Sequence, residues 1–202
     1  MINLNPVFYL KGNNYLLESL FLIRNSDKFK EHFEKFEVII QKDSFPKDEN
    51  VHALSFLYLS TNRINLCFME GSFDKGLLLI PTIETKFKEY QSRIDEHHIM
   101  SFYYKFACMH FGAGQNEACI AYLQKIITNK SLSMREDLLC FSRVLNLVAH
   151  YEAGQDYNLQ SLIKSTYHFL LKMNELHEVQ KEMIKFIKGL QDIYPHDIIK
   201  AL

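Results

Sequence analysis

Tryptophan is absent from this chain, and glycine and proline together supply only 11 of its 202 residues. That is roughly half their usual share, which excludes a turn-rich β protein and favours long uninterrupted helices. An excess of either charge is also missing: 23 lysines and arginines face 24 aspartates and glutamates. Nothing therefore draws the chain towards a phosphate backbone or an anionic lipid surface, and no nucleic-acid or membrane partner is expected. The four cysteines, Cys67, Cys108, Cys119 and Cys140, are 41, 11 and 21 residues apart and form no CxxC pair. They read as reduced core thiols, as in a cytoplasmic protein, and not as a disulfide or zinc framework. No window approaches the roughly eighteen unbroken apolar residues of a membrane helix, and MINLNPVFYLKG lacks the basic-then-apolar order of a signal peptide. Residues 1–202 are long enough for one domain with a continuous core. The apolar run DIIKAL at the end suggests a fragment of something longer.

What is present is helical periodicity. In SDKFKEHFEKFEVIIQK, Phe29, Phe33, Phe36 and Ile40 share one face, which predicts an amphipathic helix capped by Ser26. A second helix is expected from about Val51 to Glu70. In the next pattern Pro81 must kink the helix or divide it. From His97 to Phe111 the chain is apolar on nearly every side, which predicts a helix covered on most of its circumference. Helices also follow Gly114 and Gly154, the latter with Leu159, Leu162, Ile163, Tyr167 and Leu170 on one face. Ser133 and Glu136 have capping-box spacing at the head of the run to Ala153. A last face at Leu176, Val179, Met183, Phe186, Ile187 and Leu190 ends before Tyr194-Pro195.

Three turns repeat one pattern: EGSFDKGLLLI from Glu70, GAGQNEACIAYL from Gly112 and EAGQDYNLQSLI from Glu152. Their pivots, Gly71, Gly114 and Gly154, are 43 and 40 residues apart. Each glycine closes one helix in a left-handed conformation just before the next begins. The repeated unit is a helical hairpin.

These hairpins resemble tetratricopeptide repeats, whose unit is two antiparallel helices joined at a glycine. Gly71, Phe73 and Gly76 carry the likeness best, followed by Gly114, Asn116 and Cys119, and it spans about residues 50–173. The longer period and the absence of tryptophan mark a divergent, long-helix variant. The run from Arg135 to Ile187 is also similar to the closing region of uncharacterised repeat proteins of Bacteroidetes-type bacteria. The resemblance implies an all-α, right-handed superhelix of about eight helices in antiparallel hairpins. It further implies a concave groove that takes a protein or peptide partner. The residues facing it would be Thr61, Asn65 and Phe68, then Tyr104, Cys108 and Phe111, then Val144, Val148 and Tyr151. These positions lack the lysines and arginines of the family's carboxylate clamp, so an apolar or helical segment fits better.

No chemistry-bearing pattern competes with that reading. The nine histidines include no HExxH, and neither a phosphate loop nor a GxSxG elbow occurs. No catalytic residue, metal or cofactor is therefore expected. Arg143, Asn146 and His150 share one helix face and could bind a ligand, although bonding to a neighbouring helix explains such a row as well. Lys164, His168 and Lys172 read as a solvated face, as do Lys181, Lys185 and Lys188. The expected role is a protein-interaction scaffold. The alternative is a regulatory or sensor domain whose effector domain lies outside this chain.

Overall fold

The computed structural model describes residues 5–46, 48–90, 92–129, 136–154 and 156–172, together with 182 and 185. Among them the chain forms nine α-helices and no strand. The chain, expected as one domain, divides into two compact units, Met1–Ile99 and Met100–Leu202.

In the first unit, α1 (Pro6–Leu22) starts where Asn5 accepts from the amides of Val7 and Phe8 at 3.0 and 3.3 Å. Pro6 stands in the first turn, where a missing N–H leaves nothing unpaired. The next helix, α2 (Ser26–Gln41), is capped by Asn25 and not by Ser26: the Asn25 side-chain oxygen, Oδ1, accepts from the Lys28 amide at 3.2 Å. Its expected face is real, with Phe29, Phe33 and Phe36 buried and Ile40 half-buried. Those rings meet Leu10, Leu17 and Leu20 of α1 and Val51 of α3 (Glu49–Glu70) in one core. Across it the buried Asn62 amide donates to Asn14 at 2.9 Å, and Asn14 donates in turn to Glu18 at 2.9 Å.

Pro81 divides its segment. α4 (Phe73–Leu77) stops, two residues turn, and α5 (Ile80–Glu89) carries the proline in its first turn. A continuous helix would set the pyrrolidine ring against the carbonyl four residues back and remove one hydrogen bond. Phe56 of α3 meets Phe87 and Tyr90 at 6.1 and 5.5 Å, which fastens this broken second arm to α3.

The second unit holds α6 (Glu96–Gly112) from Met100 onward, α7 (Asn116–Ile127), α8 (Glu136–Glu152) and α9 (Asp156–Leu171). Ala107, Cys119, Leu123 and Ala149 form one buried cluster, in which small side chains let α6, α7 and α8 approach. Cys140, Leu147, Leu159, Ile163 and Leu170 join α8 to α9. The Ser133 half of the expected capping box, the apolar face expected at Leu176, Val179, Met183, Phe186, Ile187 and Leu190 and the Tyr194-Pro195 stop lie outside the described residues.

All three pivot glycines are left-handed, with φ of 63°, 72° and 67° at Gly71, Gly114 and Gly154. At Gly71 the amide donates to the Phe68 carbonyl at 3.2 Å and the Ser72 amide to Cys67 at 2.9 Å. This pair of bonds satisfies two carbonyls that a helix end leaves open. A fourth turn does the same without glycine. Arg24, at φ 56°, donates to Phe21 at 3.0 Å and Asn25 to Leu20 at 3.0 Å. The hairpin α1/α2 is thus built like α3/α4–α5, α6/α7 and α8/α9.

Candidate functional site

Because α1 and α3 pack side by side and end in the same kind of turn, their last turns bound a cleft of about 500 Å³. Phe21, Leu22, Phe68 and Met69 give it an apolar lining, and Arg24 and Ser26 stand at its polar side. Phe68 is steadied by an edge-on contact with Phe73 across the Gly71 turn, at 6.4 Å between ring centres. Arg24 is exposed and has no carboxylate partner among the described residues. Its cation sits beyond the C-terminal end of α1, where the carbonyl dipoles favour positive charge. The cleft can hold one or two apolar side chains and meet a carboxylate at its edge.

Of the expected groove residues on α3, only Phe68 reaches this cleft. Thr61 is half-buried, and Asn65 is 2% exposed, so its amide belongs to the interior.

On α6, Tyr104 and Phe111 pack against the cluster of Ala107, Cys119, Leu123 and Ala149. Burial raises the Tyr104 hydroxyl well above its ordinary pKa, reinforced by Cys108 one turn on. Burial also raises the Cys108 thiol, against a smaller opposing effect of its hydrogen bond with Tyr104. The Cys119 thiol, wholly enclosed, is pushed up to about 12 by desolvation and then by Cys108. On α8, Val144 and Tyr151 pack on the α8–α9 cluster and Val148 is half-buried. The structure thus places these two rows in two different packing clusters.

Two members of the row Arg143, Asn146 and His150 turn to neighbouring helices. Arg143 lies over the Phe169 ring at 4.2 Å, and desolvation lowers its pKa. Asn146 is buried and accepts from Gln124 of α7 at 3.2 Å. Two neighbouring helices account for these two side chains. Lys164 and His168 of α9 and Lys172 just after it are exposed. Lys185 pairs with Glu182 at 2.6 Å, while Lys181 and Lys188 lie outside the described residues.

Sequence reasoning missed two features. One is the cleft, whose only local signal is the polar run Arg24-Asn25-Ser26-Asp27 between two apolar helices. The other is a ring cluster on α6 and α7. Lys125 Nζ stands 4.7 and 4.3 Å from the centres of Tyr103 and Tyr122, and His110 stacks on Tyr122 at 5.4 Å. Its signal is the seven-residue interval between Tyr103 and His110, which puts both on one helix face.

No family model, curated protein or solved structure matches this chain.

Proposed function

We propose that this chain is a protein-interaction scaffold. Its hairpins form a right-handed array of the tetratricopeptide-like kind, and it takes a segment of a partner protein at the cleft between α1 and α3. The observation that carries this reading is the cleft itself: an apolar hollow of about 500 Å³ with an exposed arginine at its edge. That combination suits a segment with an apolar anchor and a nearby aspartate or glutamate. Repetition of the hairpin supports the same reading, since arrays of helical hairpins present long binding surfaces.

The test is selection of displayed peptides on the immobilised full chain, followed by titration of the selected sequences. Enrichment of an apolar–acidic pattern is expected, with affinity at least tenfold weaker for Phe68→Ala and for Arg24→Glu. Peptides that bind both variants as tightly as the parent protein would place the binding surface elsewhere.

A further inference from the structure

The outward side of α1 carries no charge. Phe8, Gly12, Tyr15, Leu16, Ser19 and Leu22 follow one another around about a third of the helix at spacings of three, four and seven. Phe8, Tyr15, Leu16, Leu22 and the adjoining Ile23 are between 43% and 79% exposed, more than half of the large exposed apolar side chains among the described residues. The opposite side of α1 is the one that packs on α2 and α3, through Leu10, Leu17 and Leu20. The only charges on the helix, Lys11 and Glu18, lie along one margin of the uncovered face. An array of helices needs a polar outer face wherever it meets water, and this face is not polar.

Gly12 sharpens the point. It is exposed, its φ is not positive, and a Cβ built there would meet nothing within 4 Å. Mid-helix glycine weakens a helix, and no contact among the described residues requires the missing side chain. A second helix crossing there would require it, because a glycine in the middle of an apolar stripe lets two backbones come close.

We infer that α1 is a self-association surface, on which a second copy of this chain packs its own α1 antiparallel about a twofold axis beside Tyr15. Three observations select that occupant. The stripe is self-complementary: residues equally far from Tyr15 meet, so Phe8 of one copy faces Leu22 of the other. A twofold that reverses the helices keeps the charged margins on the same side, so Lys11 of each copy comes beside Glu18 of its partner; a parallel pair would hold them apart. The area also suffices. Taking about 150–250 Å² for a whole aromatic side chain, the five exposed side chains offer roughly 600 Å² per copy, and two copies reach the roughly 1,000 Å² a specific interface needs.

The experiment is sedimentation of the full chain, with self-crosslinking of Tyr15→Cys as a second readout. A dimer is expected. Tyr15→Cys should form a disulfide-linked dimer on mild oxidation, and Val38→Cys on the exposed side of α2 should not. Phe8→Glu should give a monomer that melts where the parent does at concentrations too low for its dimer. Gly12→Leu should separate folding from association, raising the monomer's melting temperature while weakening the dimer at least tenfold. A monomer at every concentration overturns the inference. So does a monomer that binds lipid vesicles, or one in which residues outside the described segments shield Tyr15. Leu22 belongs both to this face and to the cleft, whereas Tyr15 and Phe8 belong to the face alone. Failure here with intact peptide binding therefore leaves the proposed function standing.

Discussion

The turn after α1 and the turn after α3 make the same pair of hydrogen bonds around different pivots, Arg24 at φ 56° and Gly71 at φ 63°. The backbone bonds define the turn, and glycine is only its least strained occupant. At Arg24 the unfavourable left-handed conformation is offset by the two bonds, by the Asn25 cap that opens α2 and by a cation at a helix C-terminus. A residue that resists the turn thus stands exposed at the edge of the cleft.

Three substitutions bear on this comparison. The largest effect is expected from Gly71→Val. No atom lies within 4 Å of the added Cβ, so the loss of about 2 kcal/mol is conformational and not a clash. An unchanged urea midpoint would show that Gly71 leaves the left-handed region. Next comes Arg24→Gly, which relieves that cost and loosens the unfolded chain, for a net gain of about 0.5–1 kcal/mol. Exchanging the pivots, Arg24→Gly with Gly71→Arg, should return stability to within about 0.5 kcal/mol of the parent if the turns are equivalent and independent. A large residual loss would mean that one of them depends on its side chain.

A further effect, absent at neutral pH, concerns the second unit and is read on the alkaline side. The Cys119 pKa is raised from about 9 to about 12, so the folded state holds that proton more tightly than the unfolded one. Its stabilising effect is complete below about pH 9 and declines as pH rises towards 12. Cys119→Ala should flatten the alkaline limb of a stability profile without changing its neutral slope. An unaltered limb would leave Tyr104 and Cys108, whose pKa values are also raised, as its source.

Much of the fold was legible in the sequence because its hinges were marked by the residue that tolerates them. Gly71, Gly114 and Gly154 announced three hairpins, and Phe29, Phe33 and Phe36 announced the buried side of α2. The first hairpin carries no such mark, because its pivot is arginine. Ser26 was expected as the cap because serine suits that position, yet Asn25 occupies it, one residue after the left-handed pivot. The site was less legible. Counting back from a glycine finds a helix face but not its neighbour, so Asn65 proves interior and Tyr104 and Phe111 join a buried cluster. The cleft depends on Phe21 and Met69, 48 residues apart, meeting through the packing of α1 on α3.

The amide pair between Asn14 and Asn62 has a consequence for alignment. Helices held only by oily side chains can slip past one another by one turn, about 5.4 Å, and lose little contact. Here such a slip would strand two buried amides, so the pair works as a key that admits one axial setting of α1 on α3. The two helix ends that frame the cleft are level because of a bond made two to three turns away, in the middle of both helices.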